Sequence, residues 1–333
     1  MVGVTTSHFN YFLRLISKNI GLYTEMVSTN SIRHGKVLDR AGSIEKNLTI
    51  QLAGNCPDEL AFCARLAQHK GYAAVNLNIG CPSCKIKKAN YGAVLFKSPA
   101  LVAACVAAMK DSCDIPISVK TRIGVDDYDN YQYLAKFIEQ LLQSGCDEIV
   151  LHARKALLKG LSPKANRTIP KLRYDVVANI KKDFPAAKIC INGGINSVEQ
   201  AADFCKVFDS VMLGRAIDKN PMILQDIDKV IYNNITNNYS RGDILQKYLV
   251  YIEKITPPYY TINYTTQNIK NKVIPRLVFE EYLYNLNKIK IPKVDIILEY
   301  NADRIMEKNI LDNSYWTPSR LGFKHKYLYF RQI

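Results

Sequence analysis

The chain has 333 residues, enough to bury one large α/β core and to leave about a hundred residues for a second, smaller domain. Its 45 Lys and Arg against 30 Asp and Glu give a formal charge of +15, which favours a polyanionic partner, nucleic acid above all, although a general bias toward lysine would give the same excess. No apolar run reaches membrane-spanning length and no signal peptide precedes the first helix, so we expect no membrane association. The expected location is the cytoplasm, or an organelle if a targeting segment precedes Met1.

The nine cysteines lie in the first two-thirds of the chain without the spacing of a disulfide framework, which indicates a reducing compartment. Cys81 and Cys84 form a C-x-x-C pair, a spacing found in redox and zinc sites. No second C-x-x-C and no H-x-x-x-H follows, and the pair does not open a helix after an early βαβ unit. We therefore predict no metal site and no thioredoxin-like site.

Short β-rich runs alternate with longer amphipathic patterns up to about residue 220, which is typical of a parallel sheet built from βα units. A helix at residues 9–17 comes first. Seven predicted strands follow, at residues 22–26, 49–52, 74–78, 117–121, 148–152, 188–192 and 210–213, and predicted helices occupy residues 57–70, 99–109, 129–144, 174–184 and 197–207. This pattern predicts a TIM (β/α)8 barrel whose first strand is missing. We expect that strand to lie upstream of Met1, since an open barrel edge would favour aggregation.

From about residue 225 the alternation stops, and Tyr, Asn, Ile and Lys accumulate. We predict a barrel domain at residues 1–224 and a smaller, mostly helical domain at residues 225–333, with helices at residues 223–235, 241–255, 267–286 and 294–306. The final stretch, residues 314–333, interleaves basic with aromatic residues and carries no acidic residue. That composition suits nucleic acid, and it equally suits a terminal segment that packs its aromatic side chains on the barrel.

Polar residues or glycines stand at the carboxyl end of the predicted strands, where parallel α/β proteins bind ligands. They are Gln51, Asn78 with Cys81, Lys120 with Arg122, His152 with Arg154, Asn192-Gly193-Gly194, and Gly214-Arg215. This ring predicts a ligand site. The alternatives are that Cys81 is a small buried hydrophobe, Lys120 a salt-bridged strand end and His152 a satisfied core histidine.

Two glycine turns follow the last two strands, and each leads into a helix. Backbone N–H groups at Gly193, Gly194 and Gly214, backed by Arg215, would form a phosphate cradle. FMN fits this ring better than a bare phosphoester. Lys120 suits an anionic reduced flavin, and Gln51 and Asn78 offer amide partners.

The sequence resembles the tRNA-dihydrouridine synthases over roughly residues 1–224, and most closely the A-type subfamily named for uridines 20 and 20a. The motifs that carry the resemblance are YTEMV (23–27), QLAG (51–54), NLNIGCPS (76–83), VKTRIG (119–124), HARK (152–155), NGG (192–194) and GR (214–215). The most specific stretch runs from His152 through LSPKANR (161–167) to PKLRY (170–174).

The resemblance implies NADPH-dependent reduction of a uridine to 5,6-dihydrouridine in the D-loop of tRNA, with FMN as cofactor. Cys81 matches the general acid that protonates C5, and Asn78 matches the residue that holds the uracil edge. Lys164 and Arg167 match tRNA contacts, which residues 225–333 would extend. The positions that match flavin contacts are Met1, Gln51, Lys120, His152, Asn192, Gly193, Gly194, Gly214 and Arg215. The resemblance leaves the oligomeric state open.

The sequence departs from the family pattern at three places. Met1 corresponds to the last residue of an Ala-Pro-Met flavin contact. Cys84 replaces an acidic residue and could form a disulfide with Cys81, and the subfamily's Arg- and Trp-containing helical motif is not found beyond residue 225. Two alternatives stay open. One is a tRNA-binding protein without turnover, against which Cys81, Lys120 and His152 argue. The other is an FMN oxidoreductase acting on a small molecule, against which residues 164–167 and the charge argue.

Overall fold

A computed structural model describes residues 1–34, 45–233, 239–255, 294–297 and 329–332. The chain forms two compact units, Met1–Asn238 and Tyr239–Ile333. The domain boundary that the sequence suggests at residue 224 stays a prediction.

Seven parallel strands form one sheet in which each strand pairs with the next along the chain. They are β1 (Leu22–Ser28), β2 (Leu48–Ala53), β3 (Ala74–Ile79), β4 (Ile117–Arg122), β5 (Glu148–His152), β6 (Ile189–Asn192) and β7 (Ser210–Met212). The sheet curls, and helices lie between successive strands, as in a (β/α)8 barrel. The predicted fold and all seven predicted strands are confirmed.

The helices of the first unit include the predicted ones and several short ones. They are α1 (Ser7–Ile16), α2 (Thr29–Arg33), α3 (Pro57–His69), α4 (Cys84–Lys88), α5 (Pro99–Lys110), α6 (Tyr131–Gln143), α7 (Tyr174–Asp183), α8 (Val198–Cys205), α9 (Arg215–Lys219) and α10 (Ile223–Val230), with 3-10 turns at Gly92–Lys97 and Ala165–Arg167. Helices α2, α4 and α9 were not predicted, because five residues are too few to show a helical period. None of the helices in the described ranges combines the length and apolar character needed to cross a bilayer.

The sheet has one apolar face and one polar face, as β3 illustrates. Val75, Leu77 and Ile79 are fully buried, and they alternate with Asn76 and Asn78, which are also buried. Successive residues of a strand point to opposite faces, so the apolar set packs under the helices and the asparagines share the other face. The polar face therefore carries the groups that could bind a ligand.

The first residues of the chain lie between the two outer strands of the sheet. The backbone N–H of Gly3 donates to the carboxylate of Glu25 on β1. A Cβ placed on Gly214, just after β7, would lie 3.6 Å from the sulfur of Met1. Met1 thus lies at the carboxyl end of β7, beside the last of the predicted site turns.

Helix α10 belongs to the barrel unit, where it packs against α1 and α8. Its anchor is Asp228, whose Oδ1 accepts a hydrogen bond of 2.6 Å from Oγ of Ser17, at the end of α1. Both side chains are buried, with 2% and 0% exposure. A charge-assisted hydrogen bond in such surroundings is among the stronger polar contacts in proteins.

The second unit contains helix α11 (Arg241–Ile255) and an antiparallel pair of strands, β8 (Val294–Ile297) and β9 (Tyr329–Gln332). The predicted helices at residues 223–235 and 241–255 are confirmed, the first in shortened form. The helix predicted at residues 294–306 is wrong over its first four residues, because the β-branched run of β8 favours an extended backbone. The helix predicted at residues 267–286 and most of the basic and aromatic stretch lie outside the described residues.

Replacing Ser17 by Ala should lower the free energy of unfolding by about 1.5–3 kcal/mol, because the buried Asp228 loses a hydrogen bond to its charged group. Urea titration followed by circular dichroism measures the change. Ser98→Ala is the matched control, since Ser98 caps α5 without a side-chain hydrogen bond. Equal midpoints for the two variants would contradict the prediction.

Candidate active site

The turn after β3 presents Cys81 through two hydrogen bonds to one side chain. Oδ1 of Asn78 accepts from the backbone N–H of Gly80 at 3.1 Å and of Cys81 at 3.0 Å. An asparagine that caps its own turn in this way fixes the backbone direction of the next residues. Cys81 is half-buried, with its thiol at the carboxyl end of the sheet.

The same asparagine ends a row of hydrogen bonds that crosses three strands. Asn78 donates to Gln51 at 2.9 Å, Gln51 donates to Asn76 at 2.8 Å, and Asn76 donates to Ser118 at 2.9 Å. All four side chains are buried. Because each side-chain amide has its partner, the row can lie on the polar face without an unsatisfied group. Gln51 and Asn78, two predicted site residues, are thus in direct contact.

The backbone carbonyl of Cys81 is fixed from a second direction. The N–H of Ala93 donates to this carbonyl at 3.0 Å, and Gly92 before it has a φ of +69°. A Cβ on Gly92 would lie 2.6 Å from the same oxygen, so only glycine fits. Sequence reasoning did not single out Gly92, whose role depends on the packing of two loops.

Lys120 reaches across the polar face to the predicted turn after β6. Its Nζ donates to Oδ1 of Asn192 at 2.8 Å, and Nδ2 of Asn192 donates to the carbonyl of Met212 on β7 at 2.7 Å. The register places Lys120 opposite Asn78, on the neighbouring strand. The pairing of β3 with β4 therefore places the Lys120 ammonium, the Asn78 amide and the turn that carries Cys81 at one end of the sheet.

Four cations gather at this end of the sheet: Lys120, Arg122, Arg154 and Arg215. None of them forms an ion pair within the described ranges. Arg122, with 4% exposure, donates to the carbonyls of Gly80 and Asn166 at 3.2 and 3.1 Å. Burial, together with the charge of Arg122, lowers the pKa of Lys120 to about 8. A group of cations without carboxylate partners, of which Arg122 is buried and Lys120 and Arg154 are partly buried, favours an anionic ligand.

His152 stands opposite Arg122 on one side and Asn192 on the other. Burial lowers its pKa well below the ordinary value, and the charges of Arg122, Lys120, Arg154 and Arg215 add to the shift, so the imidazole is neutral at pH 7. Its Nε2 is buried and has no hydrogen-bond partner among the described residues. Such an atom is a ready partner for a ligand.

Gly193 and Gly194 make room for that imidazole and for the turn beside it. Their φ angles are +110° and +72°, both in the region that favours glycine. A Cβ on Gly193 would lie 2.4 Å from Cδ2 of His152, and one on Gly194 would lie 2.6 Å from a methyl carbon of Leu172. The backbone of this turn therefore packs directly against His152 and Leu172, in a conformation and a space that only glycine fits.

Residues 157–167 form a loop beside the site, and Asn166 holds it together. Its amide bonds to the backbone N–H and carbonyl of Leu157 at 2.8 and 2.9 Å, and the residue is fully buried. Arg215 donates to the carbonyl of Arg167 at 3.0 Å. Lys164 and Arg167 have exposed side chains. The structure thus brings the predicted tRNA contacts next to Arg215, a predicted flavin contact.

The predicted site residues on β2 to β7 and on the turns that follow these strands lie at one end of the sheet, together with Met1. Asn76 and Asn166 support that end without a predicted role. A buried polar residue inside an apolar strand is the signal that could have identified Asn76. Within the described ranges no group of three or more His, Cys, Asp or Glu side chains could hold a metal ion.

Comparison with known proteins decides the family. Residues 1–288 match the family model described as dihydrouridine synthase (Dus). A protein of Shewanella oneidensis named tRNA-dihydrouridine(20/20a) synthase is 48% identical over 254 residues, which cover 76% of each chain. A protein of the same name from Synechocystis sp. is 45% identical over 256 residues, which cover 76% of this chain and 77% of the other.

The chain belongs to the dihydrouridine synthase family. The resemblance that the motifs suggest is confirmed, and with it the expectation of an oxidoreductase. A solved structure of 2-naphthoyl-CoA reductase in complex with 2-naphthoyl-CoA has a TM-score of 0.50 at 13% identity, over 70% of this chain and 48% of that one. This likeness concerns the fold alone.

The pKa of Lys120 predicts a stability change with pH. The unfolded chain keeps this proton up to about pH 10.5 and the folded chain only up to about pH 8, so the unfolded state binds more protons in between. The stability of the ligand-free protein, relative to Lys120→Met, should therefore rise from pH 8 to pH 10 and stay constant below pH 7. Urea midpoints of both proteins at each pH measure this. A difference that is flat from pH 7 to pH 10 would contradict the lowered pKa.

Proposed function

We propose that this protein reduces uridine to 5,6-dihydrouridine in the D-loop of tRNA, with FMN as cofactor and NADPH as electron donor. The observation that carries the proposal is the convergence of one positioned thiol with an uncompensated set of cations at the carboxyl end of the barrel sheet. The family match and the names of the relatives support the substrate.

The residues present fit FMN. The turn at Gly193 and Gly194 has the positive-φ glycine backbone that a phosphate cradle uses, and Arg215 follows the next strand at the same end of the sheet. His152 offers an orphaned Nε2. Lys120 supplies a positive charge suited to a reduced flavin, and Met1 lies against Gly214. We assign the flavin contacts to these residues together with Gln51 and Asn192.

When bound and reduced, FMN supplies the hydride that adds to C6 of the uracil. The protein must then deliver a proton to C5, and Cys81 is the thiol placed to do so. Asn78 fixes the turn that carries this thiol through its Oδ1, and its Nδ2 has one hydrogen left for a base edge. Lys120, oriented by its hydrogen bond to Asn192, would supply positive charge at the same end of the sheet.

A uridine inside folded tRNA can reach this site only if it leaves its stack. Exposed Lys164 and Arg167 stand on the loop beside the entrance, where they can contact phosphates that flank the extruded base. We propose that residues 225–333 add further tRNA contacts. A cytoplasmic location agrees with the nine free cysteines.

The decisive experiment combines a spectrum with an assay on RNA. Purified protein should show the visible absorbance of a flavin, and with NADPH it should form dihydrouridine in an unmodified tRNA transcript. Flavin absorbance without any dihydrouridine would favour an oxidoreductase that acts on small molecules. Absence of flavin with tight tRNA binding would favour a binding protein without turnover.

Replacing Cys81 by Ala should separate the two half-reactions. Reduction of the protein by NADPH needs no proton at C5 and should keep its rate, whereas oxidation of the reduced protein by unmodified tRNA should slow by about 10²–10⁴-fold, the usual effect of a positioned general acid. Stopped-flow absorbance measures both rates. The matched control is Cys84→Ala, three residues further on and exposed, which should leave both rates unchanged. Normal oxidation by Cys81→Ala would mean that another group supplies the proton.

Replacing both Lys164 and Arg167 by Ala should weaken tRNA binding and flatten its salt dependence, because each removed phosphate contact lowers the slope of log K against log salt by about 0.7–0.9. Reduction by NADPH should not change, since both side chains are exposed and outside the hydrogen bonds of the site. Filter binding over a salt series measures the slope. Loss of flavin reduction with tRNA affinity intact would place these residues in the cofactor site instead.

A further inference from the structure

The chain between Cys81 and Gly92 makes a short excursion whose two ends meet. It leaves the sheet at Cys81, forms α4, and returns at Gly92, where the N–H of Ala93 bonds to the carbonyl of Cys81. A helix of five residues is about 7.5 Å long. Helix α4 therefore lies within a short segment that begins at the thiol-bearing turn and closes on it at Gly92, at the carboxyl end of the sheet.

Helix α4 carries three lysines, of which one is hydrogen-bonded to a neighbouring loop and two are exposed to solvent. Lys87 is half-buried, and its Nζ donates to the carbonyl of Leu158 at 3.1 Å, which ties α4 to the loop that continues to Lys164 and Arg167. Lys85 and Lys88 are exposed and form no ion pair within the described part of the chain. Their spacing of three residues places them on the same face of the helix.

Lysines elsewhere on this surface do have carboxylate partners. Lys97 pairs with Asp126 at 2.6 Å, and Lys155 pairs with Asp129 at 2.7 Å. Helix α4 has no acidic residue in its first turn, and its neighbour Lys159, which follows Leu158, adds another exposed positive charge. Two uncompensated lysines on one helix face repel each other, and a polyanion that binds between them removes this repulsion.

We propose that Lys85 and Lys88 form a phosphate-binding pair for the RNA backbone next to the extruded uridine, on the opposite side of Cys81 from the sheet interior. The proposal rests on the proposed function, and it adds a contact surface to the one formed by Lys164 and Arg167. The hydrogen bond between Lys87 and Leu158 joins the helix that carries the first surface to the loop that carries the second. A nucleotide strand that delivers its base to Cys81 would pass over both.

The test compares Lys85→Ala/Lys88→Ala with Lys182→Ala/Lys188→Ala in binding to an unmodified tRNA transcript over a salt series. Both variants lose two exposed lysines, but Lys182 and Lys188 stand before β6, at the other end of the sheet. The α4 variant should lower the salt slope by about 1.4–1.8, and the control should leave it unchanged. A third variant, Lys85→Arg/Lys88→Arg, keeps the charge and should keep the slope.

Alanine favours a helix more than lysine does, so α4 should stay folded in the first variant. Equal flavin absorbance and equal reduction by NADPH in all variants confirm that the turn at Cys81 is intact. If the α4 variant misfolds, the single substitutions Lys85→Ala and Lys88→Ala should each remove about half of the slope change. Equal slopes for the α4 variant and the control would overturn the proposal. Absence of tRNA binding by the unaltered protein would instead overturn the proposed function.

Discussion

The site depends on the side-chain amide of Asn78. One oxygen atom of this residue accepts the N–H groups of two successive residues, and its nitrogen is held by Gln51 on the neighbouring strand. The row continues through Asn76 to Ser118, so the position of Cys81 is set by β2, β3 and β4 together. A buried row of this kind is stable only if every member is satisfied. A change at any of the four residues would reach the thiol through its partners.

The cations at the end of the sheet impose a second constraint. Lys120 and Arg122 lie on one strand beside the neutral His152, and the pKa of all three is lowered by burial and by positive neighbours. The repulsion between Lys120 and Arg122 costs stability in the ligand-free protein, and an anionic ligand would remove that cost. The hydrogen bond between Lys120 and Asn192 orients the ammonium but does not neutralise it. The fold thus gives up stability where it needs to bind negative charge.

The sequence alone predicts the parallel sheet well, because apolar strands such as β3 and amphipathic helices such as α6 carry the periodicity of their burial. It also predicts which residues meet, since the carboxyl ends of parallel strands share one edge. The sequence does not predict which site residues form hydrogen bonds with each other. The pairing of Gln51 with Asn78 comes from strand register, and the contacts of Arg122 and Asn166 come from loop packing. Strand β8 was predicted as a helix, because four residues are too few for the apolar pattern to reveal its period, although their β-branched side chains favour a strand.

The closure of the chain at Gly92 has a consequence for how this enzyme can vary. Cys81 is held by hydrogen bonds to Asn78 and to Ala93, so both ends of the ten-residue segment between Cys81 and Gly92 are fixed in place. Substitutions in that excursion can alter the exposed surface beside the site without shifting Cys81. The position of the thiol and the character of the neighbouring surface are therefore set by separate parts of one loop, and the second can change while the first is kept.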